Sequence, residues 1–333
     1  MLEELLMRAA EQARAEGRWV DTERSLTRAT ELFPESPRAW GPLIQLHENA
    51  RDWRAAEQVA RRGVSARPDD AGLHRSLAMA LVRQERPEEA VQVLRRFLAR
   101  RDDPAAEALL ARLDRELESS RGMAQRGSLH FRVRFEGETD DALGKALLEV
   151  LEDKHALLTR TLGYEPRVEI PVILYPRQTF RAVSNSPDWA GATYSHFDGR
   201  IRIGTRDLTA GFVPLDLERL LTHELVHVFV DWRTGGRAPR DINEGLAQYL
   251  SGKRLGYRLA ASRTVIRDGE MSVRDFYDSA LSFVEYLVGR YGQASMNDLL
   301  KRMGELGDVD QAFRRAYGQG YAQLREEWIQ QLD

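Results

Sequence analysis

The chain has 333 residues, of which 42% are hydrophobic and 30% charged, and its formal net charge is −3. That length makes two domains the default, and the near-balanced charge gives no general attraction to nucleic acid or to an anionic membrane. No apolar run approaches the roughly 18 residues needed to span a bilayer, and with no cysteine any metal must sit on His, Asp or Glu.

The first residues, Met1-Leu2-Glu3-Glu4-Leu5, lack the basic and apolar regions of an export signal, so the sequence as it stands is expected in the cytoplasm. It begins inside a helical pattern, and a leader once present before it would place it in the periplasm or outside the cell.

Residues 1–120 read as helix and repeat at an offset of 34. Arg18-Trp19 falls over Asp52-Trp53, Glu23 over Glu57 and Pro34 over Pro68. A further step pairs Leu43 with Leu77, Ala56 with Ala90, and Val59 with Val93. The period, the small residues at Ala56 and Ala90 and the proline closing each unit resemble the tetratricopeptide repeat (TPR). Units fall at about 4–36, 37–70 and 71–104, with 105–119 as a closing helix. The match is loose in places: His74 stands where Trp40 stands one repeat earlier. A generic helical bundle is the competing reading. Each helix pair has an apolar face that only a neighbour can bury, so the units must stack into a solenoid, a platform for a protein partner.

Glu118-Ser119-Ser120-Arg121-Gly122 interrupts the helices. Beyond it, 129–135 alternates at period two and reads as a strand, and 140–162 carries Leu143, Leu147, Val150, Leu151 and Leu158 at helical spacing. Val168 to Tyr175 is a second strand, and 194–203 a hairpin turning at Asp198-Gly199. The remainder is mostly helical, broken at Gly235-Gly236 and at Gly292, giving an α+β second domain over 128–333 with a small mixed sheet and C-terminal helices.

The chemistry concentrates on the apolar helix 215–232. His223 and His227 are four residues apart, so they share one face with Cβ atoms about 6 Å apart, within reach of one cation. Two imidazoles and one carboxylate suit zinc and leave a position open for water. Glu224 lies beside the pair, placed to take a proton from that water. Two histidines on an apolar helix are more often packing residues, but a carboxylate buried between them is costly without a task. After the loop 233–240, a second helix, 241–250, holds Glu244 in its first turn as the candidate third ligand. A bland reading competes there too, because Asp241 as N-cap with Glu244 three residues on resembles a capping box.

His223-Glu224-Leu225-Val226-His227, with sixteen residues before Glu244 in the segment NEGLAQY, resembles the gluzincins, specifically the peptidase MA-like family. Tyr277 to Val284 and the later Gly292 resemble that family's C-terminal helices, and a TPR half in front is a combination found in bacterial members. The resemblance implies a zincin-like metallopeptidase: zinc on His223, His227 and Glu244, and Glu224 as general base. It departs in its shorter spacer to Glu244 and in lacking the GxMEN motif that captures a substrate amine, which points to an endopeptidase. The metzincin pattern fails, since Val230 stands where it needs glycine and Arg233 where it needs a third histidine.

For the oxyanion of the tetrahedral intermediate, Tyr277 is the first candidate, because the resemblance places its helix near the cleft; Tyr194, His196 and Tyr249 compete. The stretch Trp189 to Tyr194 offers an edge strand for an extended peptide, or is an ordinary edge. Asp231, one turn past His227, reads as a substitute ligand or as a solvated helix end. His47, His74, His130 and His155 lie outside any ligand spacing and read as structural. The expected substrate is a peptide or protein. Two other readings stay open: a TPR adaptor whose zinc domain is inactive or structural, and zinc hydrolysis of a non-peptide amide.

Overall fold

The computed structural model describes residues 1–135, 141–184, 191–205, 215–264 and 271–332. The predicted positions Trp189 and Ala190, and residue 140, lie outside them. The chain divides into two compact units, Met1–Arg121 and Gly122–Asp333.

The first unit is three helix pairs and a closing helix: α1 (Leu2–Ala15) with α2 (Trp19–Leu32), α3 (Trp40–Asn49) with α4 (Trp53–Ala66), α5 (Ala71–Val82) with α6 (Pro87–Leu98), and α7 (Pro104–Ser119). Asp52, Asp70 and Asp103 each precede a helix and accept a backbone N–H from the first turn, satisfying donors that the helix itself cannot. Ala56, Ala60, Ala78 and Ala90 are fully buried, and such small side chains let neighbouring helices approach closely. Repeat periodicity also explains the apparent mismatch of His74 with Trp40. Trp40 Nε1 donates to the Pro34 carbonyl at 2.9 Å, and one repeat later His74 Nε2 contacts the Pro68 carbonyl at 2.9 Å. A carbonyl only accepts, so His74 carries its proton on Nε2 and does the work of the indole. The buried Glu57 ties the pairs together, accepting from Arg61 on its own helix and from Gln84 and Arg86.

The second unit is built on a sheet whose strand order, among the described residues, is β1-β2-β3-β5-β4. The strands are β1 (Ala124–Gly127), β2 (Phe131–Phe135), β3 (Ile170–Pro176), β4 (Ala192–Ser195) and β5 (Arg200–Thr205). β2, β3 and β5 run parallel in the centre, and β1 and β4 are antiparallel edges. β1 went unread in the sequence, because Ala124-Gln125-Arg126-Gly127 is short, polar and half exposed. The hairpin turns where expected, with Gly199 at φ 75°, a conformation that a Cβ disfavours.

Helix α8 (Asp141–Leu162) makes the crossover from β2 to β3, and α9 (Arg177–Ser184) follows β3. One face of the sheet packs Phe131, Val133, Val172, Ile201 and Ile203 with residues of α8 and of α10 (Leu215–Thr234). The other face packs Ile173 and Tyr175 against Phe180 of α9. α10 is buried almost all round from Leu221 to Asp231, which is why its hydrophobicity has no clean amphipathic stripe. Gly235 and Gly236, both at positive φ, end it. Then come α11 (Arg240–Leu250), α12 (Val273–Leu306), α13 (Val309–Tyr317) and α14 (Tyr321–Gln330). α12 is broken at Gly292, whose φ of 83° is not helical. Among the described residues no helix is long and apolar enough to cross a membrane.

α11 is held by an unusually close approach to α12. A Cβ at Gly245 would overlap the backbone carbonyl of Ala280, which no rotamer change relieves. The Gly245→Ala variant should therefore lose about 3 kcal/mol or more, the upper end for an overpacked site. Gly289→Ala, where a Cβ meets nothing within 4 Å, should be neutral or stabilising by about 0.5–1 kcal/mol. Urea unfolding of the two variants side by side checks this; equal midpoints would refute the close-packing account.

Candidate metal centre

The site begins with the burial of α10. Its apolar residues seat the helix against the sheet, and one flank carries His223, Glu224 and His227 into a cleft of about 1160 Å³. Glu244, in the first turn of α11, lines the same cleft. His223 Nε2 and His227 Nε2 are 3.2 Å apart, and the Glu244 Oε2 atom lies 3.5 Å from the first and 3.6 Å from the second. The two rings stand almost perpendicular, at 88°.

Three electron-pair donors thus converge on one point. Glu244 Oε2 is buried without a hydrogen-bond partner, which is costly unless something positive is shared among the three. The fit to zinc is close: two bonds of about 2.0–2.1 Å at a tetrahedral angle leave about 3.3–3.4 Å between donor atoms.

Asn243, next to Glu244, supplies a constraint that sequence reading did not assign. Its Oδ1 accepts from His227 Nδ1 at 2.9 Å. That bond puts the proton of the ring on Nδ1 and turns the Nε2 lone pair toward His223 and Glu244, as outer partners of metal-binding histidines do. The signal lay in the sequence beside Glu244, but nothing in one dimension points an amide at an imidazole sixteen residues away.

The carboxyls of Glu224 and Glu244 are pushed in opposite directions. Burial drives Glu224 up to about 7, against the opposing pull of His227 and of the Tyr194 backbone N–H. Glu224 Oε2 accepts that N–H at 2.6 Å. β4 places the donor: Gly204 N–H bonds the Gly191 carbonyl, so alternation along the strand turns the Tyr194 N–H away from β5 and into the cleft. Burial also acts to raise Glu244, but the facing imidazoles and Arg240 outweigh it, and its carboxyl lies below the ordinary value. Environments that separate two carboxyls in this way are how one site assigns one to proton transfer and the other to permanent charge.

Two sequence expectations need correction. Asp241 is not an N-cap: α11 starts at Arg240 after Pro239, and the Asp241 carboxylate accepts from Tyr321 at 2.6 Å and from Arg325. Glu244 therefore closes no capping box, and its carboxylate faces the imidazoles instead. Asp231 is neither a substitute ligand nor a solvated helix end. It is 5% exposed, accepts from the Tyr194 hydroxyl at 2.7 Å, and pairs with His196 Nδ1 at 2.7 Å. Tyr194, His196 and Asp231 thus form one linked group along the cleft, joining the β4–β5 hairpin to α10. Tyr277, from α12, lines the cleft as well, and burial followed by the charge of Glu244 raises its hydroxyl above the ordinary value. Tyr249 lies under the Arg254 guanidinium, 4.0 Å from its ring centre.

Comparison with known proteins places this cleft in context. Residues 207–328, which include the whole centre, match the family described as peptidase of plants and bacteria, and residues 13–76 match the tetratricopeptide repeat. The chain thus joins TPR repeats to a peptidase-like domain. No curated protein matches it. Among solved structures, a mutant of the Thermobaculum terrenum O-GlcNAc transferase shares 19% identity over 68% of this chain and 44% of its own, with a TM-score of 0.25. The chain therefore spans less than half the length of that protein. Yeast Tom70 shares 13% identity over 99% of this chain and 67% of its own, with a TM-score of 0.31. Neither likeness bears on the chemistry.

Burial of Glu224 sets a testable pH dependence in chelator-treated protein. Its folded value of about 7 exceeds the ordinary 4.5, so folding favours the neutral acid. The contribution of Glu224 to stability is then fully present below about 4.5 and is lost as pH rises toward 7. Glu224→Gln removes that loss: the variant should be the more stable at pH 8, by up to roughly 3 kcal/mol, with the gap closing below pH 4.5. Urea midpoints across pH 4–8 measure it, and parallel curves for the two proteins would contradict the assigned burial cost.

Proposed function

We propose that the C-terminal unit is a zinc-dependent endopeptidase of the gluzincin type, a zincin-like domain of the peptidase MA-like kind, and that the TPR unit recruits a protein partner or substrate. The observation that carries this reading is the convergence of His223, His227 and the partnerless Glu244 Oε2 beside a buried Glu224. A divalent ion held there supplies Lewis acidity, which activates water and polarises the scissile carbonyl.

The chain's own groups do the rest. Glu224 takes a proton from the attacking water and passes it to the leaving amine. Its buried carboxyl suits both halves of that transfer, because a value near 7 lets it accept and release a proton near neutral pH. The Tyr194 N–H fixes one carboxylate oxygen and leaves the other for the water. Asn243 holds His227 in the tautomer that binds, and Asp231 holds His196 at the cleft wall. Tyr277 is the proposed donor to the oxyanion, as the phenol that lines the cleft from the α12 side. β4 is the outer strand of the sheet among the described residues, and an extended substrate backbone is proposed to lie along it next to Glu224.

The full chain should purify with zinc bound and cleave unstructured peptides. Glu224→Gln should keep the zinc and lose about 10²–10⁴-fold in kcat/KM, the usual worth of a general base. A folded protein that takes up no zinc at the cleft, or a Glu224→Gln protein as active as its parent, would end the hydrolase reading. Asn243→Ala should weaken zinc binding about 10–100-fold while leaving the fold intact. Competition with a chelating dye measures this, and unchanged affinity would show that the amide does not set the ring.

A further inference from the structure

A second convergence of metal-ligand types lies away from the cleft. His130 immediately precedes β2, His155 sits in the second half of α8, and Glu165 lies in the connection from α8 to β3. One donor atom from each falls within 4.8 Å of the others. Sequence spacing hid them, since 25 residues separate the histidines.

The arrangement around each ring is specific. Glu152, three residues before His155 on α8, accepts the His130 backbone N–H at 2.9 Å and His130 Nδ1 at 2.6 Å. That double contact assigns the ring proton to Nδ1 and aims Nε2 at Glu165 Oε1, 3.2 Å away. His155 stacks on the His130 ring with centroids 3.9 Å apart, and meets Phe131 edge-on and Phe229 of α10 at a tilt. It is 1% exposed, and its Nε2 has no hydrogen-bond partner.

A single extra proton on His130 would satisfy the contact with Glu165 but would leave His155 Nε2 orphaned, at the cost of an unmade buried hydrogen bond. A divalent cation between the three groups would give His155 Nε2 a partner as well, once the His155 ring turns toward it. We propose that His130 Nε2, His155 Nε2 and Glu165 form a second zinc site, with Glu152 as the positioning carboxylate behind His130.

Two nitrogens and one oxygen match zinc's preferences, and the Glu152–His130 pair is the carboxylate–imidazole relay that raises ligand basicity and fixes ring direction. Glu165 is half exposed, which leaves an entry path and room for a water as fourth ligand. Glu152 keeps the His130 ring in place, and the His155 ring must turn out of its stack on His130 to close on the ion, a movement about the broad terminal torsion of histidine. The site is structural: it would staple the start of β2, the end of α8 and the loop into β3. Through His155 on Phe229 it would brace the helix that carries His223 and His227. The proposal does not depend on the cleft.

Zinc titration of the chelator-stripped full chain, read by calorimetry, should give two equivalents. Glu165→Gln, a change at a half-exposed loop position that spares the core, should weaken one of them at least 10-fold and leave the other. His155→Asn should do the same, and in both variants added zinc should raise Tm less than in the parent. Glu244→Gln should weaken the other equivalent and leave this one. One equivalent kept in Glu244→Gln and lost in Glu165→Gln would support this site even if the cleft binds nothing. Identical titrations for the parent and for Glu165→Gln, or a single equivalent lost only in Glu244→Gln, would overturn it; either result would leave a water as the ligand of His155.

Discussion

The second unit is organised around the cost of bringing two imidazole nitrogens and a carboxylate oxygen within 3.2–3.6 Å of one another. Left to themselves these groups would turn to water. They are held because α10 is packed into the core along its whole middle and because α11 is pinned from several sides. Gly245 lies against the Ala280 carbonyl, and Gln248 donates to the Tyr277 carbonyl at 2.8 Å. At the other end of the helix, Asp241 is locked to Tyr321 and Arg325 of α14. Glu244 sits between these anchors, so backbone packing on both sides brings its carboxylate to the histidines.

That rigidity carries an energetic penalty that a fold selected for stability alone would avoid. Burial pushes the Glu224 carboxyl up to about 7 in metal-free protein, even with the Tyr194 N–H donating to it. Strongly shifted groups of this kind cluster at functional sites. The same hairpin that donates this N–H also sends Tyr194 and His196 to Asp231, so the sheet edge and the helix of the centre are joined at two points on one wall of the cleft. A peptide lying along that edge would meet proton transfer and backbone pairing together.

The repeat unit illustrates how a period constrains chemistry more than identity. Trp40 and His74 differ in size and polarity but share a ring N–H that reaches the carbonyl six residues before it. The fold conserves that bond geometry and lets the side chain vary. Glu57 shows the complementary case, a charged residue tolerated in the packing because Arg61, Gln84 and Arg86 surround it.

The helical repeat, the boundary near Gly122, the hairpin at Asp198-Gly199 and the pairing of His223 with His227 were legible in the order of the residues. Each of these rests on local periodicity or on the steric freedom of one residue. That order also put Glu244 on a second helix, with a capping box as the competing account of that position. The folded chain separates the two, because Asp241 turns toward α14 and Glu244 faces the imidazoles. The roles of Asn243, Tyr194 and Asp231, and the meeting of His130, His155 and Glu165, belong to the tertiary structure as well. They depend on which side chains from distant segments arrive at one place, and no spacing along the chain encodes that. Strand β1 escaped for the opposite reason: it is four residues long, and its side chains carry no alternating pattern to read.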